Sequence, residues 1–386
     1  DLSLNSNYDT IQTSCFQGCI SLTNVLLPSN VTTLGGSCFK LCSSLEYIDL
    51  NNSVEYIGTS AFENCSNLNN LDLPSSLLTI ADDAFKFCYE LKSMSGFPEN
   101  LVSIGDDAFN SCDLSGFQSI LTIPDSVTNI GSNAFNSNDN NLSGVVLGSG
   151  LSSLSSNVFS NCSNLREINL ENVTTIGSSA FLNCLNLTGA LIPPTMQFMG
   201  TSAFQNTAIE NITIPNLITK TSTSLCFSAS FLTGIISGLN LITIGNSSFY
   251  GCGALSEFYA EDNLRTISTN AFSNCSSMSG LDLNQITELQ TSAFKNCDSL
   301  PEFLEIPDTV TVMGTNIFEG CTNTTGFSWT SGYNQIPAQT FKGCNNIQTL
   351  EIPSYITVVD AEAFMNCTSI SGVNFPEGIQ YIGGSL

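Results

Sequence analysis

The chain has 386 residues, and 33 Asp and Glu against 8 Lys and Arg leave a formal charge of -25, with no His at all. That balance repels a phosphate backbone and an anionic membrane surface, so nucleic acid is excluded as a partner class. The missing His removes the commonest general base and metal ligand, which argues against an enzyme of the usual hydrolase plans. With 42% hydrophobic residues the chain is built to fold.

In chain order, Leu2 and Leu4 stand in strand phase, and then a Phe recurs at positions 16, 39, 62, 85, 109, 135, 159, 181, 204, 227, 249, 272, 294, 318, 341 and 364. The mean spacing is about 23 residues, too short for one unit to enclose a core, so apolar positions must be buried by stacking on the units before and after. A clear copy runs from Ala61 and Phe62 through Cys65, Leu68 and Leu71 to Leu73 and Pro74. The Leu45, Ile48, Leu50 pattern alternates at its end and predicts one short parallel strand per unit, which a Pro often stops. The dipeptides Ile57-Gly58, Ile104-Gly105, Ile130-Gly131, Ile176-Gly177 and Ile244-Gly245 predict a corner where Gly supplies a positive φ. The Ala-Phe-x-x-Cys segment that follows predicts a single helical or 3₁₀ turn.

Two stretches depart from the pattern, near 113–158 and 204–235. In the first, Asn138 stands where Cys is expected and residues 138–141 read as a loop insertion; in the second, Thr207 and Ser230 take the Cys places and Lys220–Ser224 replaces the Ile-Gly corner. These are the expected places for a change of curvature or early local unfolding. The repeat runs through 1–386 as a single continuous array. Its last unit stops one residue short of the next Phe, and neither end carries a recognisable cap. The expectation is a piece of a longer chain, or copies stacked end to end.

Thirteen of the 16 Cys stand three residues after the repeat Phe, while Cys15, Cys38 and Cys226 stand just before it. Both phases are small inward slots, so the ladder built from Phe62, Cys65, Phe85, Cys88, Phe272, Cys275, Phe294 and Cys297 is read as structural, with free Cys as a compact hydrophobe. Disulfides between adjacent rungs are the alternative, and Cys15–Cys19 and Cys38–Cys42 are the within-unit candidates. No C-x-x-C pair occurs and one Cys per rung cannot supply a tetrahedral set, so no metal or other cofactor is expected.

Outward strand phases carry Asp49, Asp72, Asp282 and Glu351, with Tyr47 and Tyr259 as outward aromatics. These six are the candidate contact residues for a protein partner. Ser95, Gln118, Val146, Thr213 and Tyr259 interrupt the acidic positions, so no continuous acidic track is expected. Asp82-Asp83 and Asp106-Asp107 stack in neighbouring units, but the calcium-loop pattern is absent. Trp329 shares the phase of Leu50 and is assigned to the core. The N-x-[ST] sites occur at about chance frequency. Of these, Asn64, Asn161, Asn274 and Asn366 lie in the tight turn and are expected to bond turn backbone, whereas Asn30, Asn51 and Asn172, in turns after strands, are the better glycan acceptors. No phosphate cradle, dinucleotide fingerprint or nucleophile elbow is present, so no catalytic residue is assigned.

The motif I-G-x-x-A-F-x-x-C-x-x-L-x-x-I-x-L-P resembles the BspA-like class of leucine-rich repeats over essentially the whole chain. The resemblance implies a right-handed leucine-rich-repeat solenoid of about 16 repeats, with a parallel sheet on the concave side and short helical or 3₁₀ turns on the convex side. It also implies an extracellular or cell-surface setting and a role in adhesion or protein binding without catalysis. The rival expectation is a structural subunit that polymerises end to end into an extracellular filament or sheath.

Overall fold

Among the described residues, repeats lay down two short strands rather than one, except that the repeat of Asn211–Thr213 has only an isolated Lys220–Thr243 bridge in the second place. The computed structural model describes residues 2–3, 8–94, 96–114, 120–138, 142–259, 261–329 and 332–384, in two units, Asp1–Thr207 and Ala208–Leu386. In the first unit, Asn24–Leu26, Tyr47–Asp49, Asn70–Leu71 and Ser93–Met94 belong to one parallel ladder. Thr33–Leu34, Tyr56–Ile57, Thr79–Ile80 and Ser103–Ile104 belong to a second ladder. Register is fixed at one repeat per step, with Val25 opposite Ile48 and Ile57 opposite Ile80. The second unit repeats the plan, with Glu257–Phe258 on Gly280–Leu281 in one ladder and Thr243–Ile244 on Thr266–Ile267 in the other. Leu2 pairs with Val25, as its strand phase predicts, while Leu4 lies outside the described residues.

The second ladder corrects the expected Ile-Gly corner. Ile57 and Ile130 end strands, and the Gly after each has no positive φ. Glycine is needed there for proximity: a Cβ on Gly58 would lie 2.6 Å from the Leu34 carbonyl oxygen, and one on Gly131 would lie 2.3 Å from the Asp106 backbone nitrogen. The left-handed corners fall instead on the residues two before and two after the ladder Phe, as at Ser60 (φ 56) and Asn64 (φ 61) around Phe62.

Those corners also explain why the expected helical turn is not formed. Among the described residues there is no helix. The amides of Ser60, Phe62 and Asn64 donate to carbonyls of the next rung (2.8 Å each), while those of Ala61, Glu63 and Cys65 close turns within their own rung. Every second N–H is thus committed to a neighbour, and two left-handed residues in five break a right-handed helix.

The core runs inside the ladders. In the first unit the rings from Phe16 to Phe204 stack at centroid distances of 5.2–6.0 Å. In the second, Phe249 to Phe364 stack at 5.5–5.8 Å. Fully burying such a ring contributes roughly 1.5–3 kcal/mol, and the offset stack adds about 0.5–1.5 kcal/mol. Phe227 is a correction to the repeat register. Left-handed residues at Ser224 and Ser228 place Cys226, which is fully buried, in the ladder slot. Phe227 instead sits half-buried one position on, stacked on Tyr250 at 4.6 Å. Ala229, not Ser230, then fills the Cys slot of that rung. Trp329 is buried, with its indole N–H donating to the Tyr333 carbonyl at 3.0 Å.

All 16 cysteines are free, and every one but Cys15 and Cys19 is buried. Twelve thiols donate to the backbone carbonyl of the ladder residue one rung back, as Cys65 to Phe39 (3.1 Å), Cys88 to Phe62 (3.2 Å) and Cys275 to Phe249 (3.2 Å). Asn138 substitutes in kind, its amide donating to the Phe109 carbonyl at 3.1 Å and accepting from the Cys112 N–H at 2.9 Å. The rest of the insertion, 139–141, lies outside the described residues. Burial pushes the thiols of Cys38, Cys252 and Cys297 up to about 12, and that of Cys88 well above its ordinary range.

Candidate protein-binding surface

In each unit the outward face of the first ladder carries three of the six contact candidates. Tyr47, Asp49 and Asp72 lie in the first unit; Tyr259, Asp282 and Glu351 lie in the second. Tyr47 and Asp49 flank the buried Ile48 in one strand, Tyr47 half-buried and Asp49 exposed. The Asp49 carboxylate accepts the Asn51 N–H at 2.9 Å, and Asp282 accepts the Asn284 N–H at the same distance, so each acid also shapes the turn that ends its strand. Glu351 accepts from the Asn374 side chain at 2.7 Å. Asp72 is exposed and has no hydrogen bond or ion pair among the described residues.

Tyr259 is 59% exposed, and its hydroxyl lies 3.3 Å from where a Cβ on Gly280 would stand. Phe303, 53% exposed, lies against Gly326 in the same way, at 3.1 Å. Glycine at an outward strand phase thus leaves room for an aromatic side chain from the preceding rung. Beside Phe303, the Asp282 and Glu305 side chains help line a hollow of about 280 Å³.

Four of the lysines are held elsewhere. Lys40 pairs with Glu63 (2.6 Å), Lys86 with Asp83 and Asp107 (2.8 and 3.4 Å), Lys295 with Glu319 (2.9 Å) and Lys342 with Glu362 (3.0 Å), all along the edge beside the ladder Phe. Burial alone would raise the Glu63 carboxyl, but the Lys40 hydrogen bond and charge, with help from Ser60, bring it below its ordinary value. With these lysines spent at the turn edge, the acids of the strand face keep an unneutralised field.

Sequence reasoning passed over the exposed apolar residues on the same face: Ile120, Leu191, Ile236 and Phe303, all between 46% and 87% exposed. Aligning the outward phase of Asp49 through every unit would have found Leu191 and Ile236. Gln118 and Ser95 lie outside the described residues, and the outward position in the first of those rungs is held by Thr122, because Leu121 pairs with Val145. Asn161, Asn183 and Asn206 form a side-chain ladder at 2.8 Å per step, as do Asn274 and Asn296. The expected bonds of Asn161 and Asn274 to turn backbone are thus made side chain to side chain. Among the described residues no group of three His, Cys, Asp or Glu could hold a metal ion, and no helix is long and apolar enough to cross a membrane.

The profile of the BspA type leucine-rich repeat region matches residues 1–116, 117–228, 220–304 and 287–386 in six copies. The chain belongs to the BspA-type leucine-rich repeat family. Its fold is a parallel-strand leucine-rich-repeat solenoid of about sixteen turns of about 23 residues. This BspA-type chain is similar to a leucine-rich repeat protein of Bacteroides ovatus, with 27% identity, a TM-score of 0.75, and coverage of 99% of this chain and 91% of that one. It is also similar to the leucine-rich repeat protein of T. pallidum, with 31% identity over 48% of this chain and 77% of that one, at a TM-score of 0.36. A leucine-rich cell surface protein of Faecalibacterium prausnitzii is 20% identical, covering 99% of this chain and 74% of that one, at a TM-score of 0.34. No curated protein matches the chain. BspA-type repeats are protein-interaction scaffolds in general, and the exposed side chains of a repeat array can change without disturbing the core.

Proposed function

We propose that the chain is a non-enzymatic binding or adhesion scaffold of the cell surface or extracellular space, which takes protein partners on the outward face of its first ladder. One observation carries the reading: acids and exposed apolar side chains share that face, while most lysines are tied into ion pairs at the turn edge. Such a surface attracts basic partners over distance and holds them by apolar contact at close range. Tyr47, Asp49, Asp72, Tyr259, Asp282 and Glu351 are the proposed contact residues. The wild-type chain, immobilised and exposed to a panel of purified extracellular-matrix proteins, should retain at least one basic protein, and retention should weaken as salt rises. Retention that ignores salt and survives neutralisation of Asp49, Asp72, Asp282 and Glu351 would contradict the proposal.

A further inference from the structure

In the first unit, the strands Ile120–Thr122, Gly144–Val146, Glu167–Ile168 and Gly189–Ala190 pair in that order, which sets Ile120, Gly144, Glu167 and Gly189 in one outward column. Glycine on both sides of Glu167 leaves its aliphatic stem bare. A Cβ on Gly144 would lie 3.4 Å from both the Glu167 Cγ and the Ile120 Cγ1, and one on Gly189 would lie 3.2 Å from the Glu167 Cβ. The missing side chains open a trough of about 640 Å³, within the size range of sites that hold small ligands or single side chains. Its walls are apolar. Val146 is 45% exposed and Leu191 is 87% exposed, so both leave apolar surface in water that an occupant could cover. Pro193 and Pro194 also line it.

The charge around the trough is acidic. Glu167 and Glu171 are exposed, and their carboxylates have no hydrogen-bond or ion-pair partner among the described residues. Between Lys92 and Lys220 the sequence holds a single cation, Arg166. Apolar walls around an unpaired carboxylate complement an occupant that carries both kinds of group. From this we infer that the trough docks an extended segment of another protein in which apolar side chains alternate with Lys or Arg, the apolar ones lying against Val146 and Leu191 and the cation on Glu167. This inference rests on the surface-scaffold reading above and names the partner chemistry for one part of that face.

A second copy of the chain is a poor occupant. Of its 8 cations, Lys40, Lys86, Lys92, Lys295 and Lys342 are in ion pairs, and the Arg265 guanidinium donates to the Asp262 and Leu264 carbonyls. Four strands at their usual spacing span about 14 Å, the length of about four extended residues, so a hexapeptide is long enough to test the site.

Three blocked hexapeptides would serve as probes in titrations of the full chain by fluorescence anisotropy: alternating Lys and Leu, alternating Glu and Leu, and alternating Lys and Ser. The Lys-Leu peptide should bind at least about tenfold more tightly than either of the others. Glu167→Gln should weaken it about threefold to tenfold. Gly144→Val, whose Cβ would stand 3.4 Å from its nearest neighbours and whose methyl groups would enter the trough, should melt like the wild type and abolish the binding. Failure of the Lys-Leu peptide to bind, equal binding of all three, or binding unchanged in both variants would each overturn the inference. The matrix panel separates the two readings. A basic partner retained equally by wild type and Gly144→Val removes the trough and leaves the wider face standing. Peptide binding that is lost in Gly144→Val, with no matrix protein retained, keeps the trough and removes the wider role.

Discussion

A thiol that faces the carbonyl of the preceding rung gives the Cys position a specific task. Alanine would fill the same slot, but only a donor bonds the free lone pair of the ladder carbonyl, and Asn138 does so where Cys is missing. Cys88→Ala should therefore cost about 1 kcal/mol in urea denaturation, the usual net worth of one hydrogen bond. The ladder register gives a sharper contrast. Phe272→Ala, which empties a fully buried slot, should cost about 3–5 kcal/mol, whereas Phe227→Ala should cost about 1 kcal/mol because only its stack on Tyr250 is lost. The small buried character of the Cys phase was legible in the sequence. The hydrogen bond was not, since its acceptor belongs to another rung. Spacing could not place Phe227 either, because Cys226 and Phe227 divide the distance from Phe204 to Phe249 equally well, and only Ala229 in the following Cys slot tips the balance. Of the three glycan candidates, the Asn30 and Asn51 amides donate to the Tyr8 and Pro28 carbonyls (2.6 and 2.7 Å), while Asn172 is exposed and free of such bonds among the described residues. In a host that glycosylates, peptide mapping should find Asn172 occupied well ahead of the other two.

At the scale of the repeat element, the first strand follows from its Leu-x-x-Ile-x-Leu pattern, but the second spans two residues, too few for a period to show. What the sequence does record of it is the glycine that lets the preceding rung approach. Gly131→Ala would press a methyl to 2.3 Å from the Asp106 backbone nitrogen and should cost about 1–3 kcal/mol in thermal or urea unfolding, whereas Gly144→Ala, with contacts at 3.4 Å, should be nearly neutral. Equal effects would mean that glycine serves conformation rather than proximity at the end of the second strand. The absent helix has a similar cause. Local propensity of the Ala-Phe-x-x-Cys segment allows a helical turn, and the pull of inter-rung hydrogen bonds on alternate amides overrides it.

At the scale of the whole molecule, the buried thiols tie stability to alkaline pH. A thiol raised from 9.0 to about 12 by burial, as at Cys252 and Cys297, stays protonated in the folded chain and ionises in the unfolded one. Its contribution is complete below about pH 9 and is lost as pH rises toward 12, at up to about 1.4 kcal/mol per pH unit for each such thiol. Reductant-containing urea titrations across that range should show the fall, and a flat profile would mean that the thiols are not shielded as the fold places them. Family, fold and acidity were all legible in the sequence; the proposed binding face was legible only in its charges, because apolar residues at outward phases look like core until the strand register is known. The most direct test of the binding face places a photo-crosslinking residue at Asp72, on the outward strand face, and separately at Asn67, exposed at the turn edge, and exposes each to a matrix protein that the wild type retains. Adducts from position 72 and none from 67 are the predicted result; adducts from 67 and none from 72 would contradict the assignment of binding to the outward strand face.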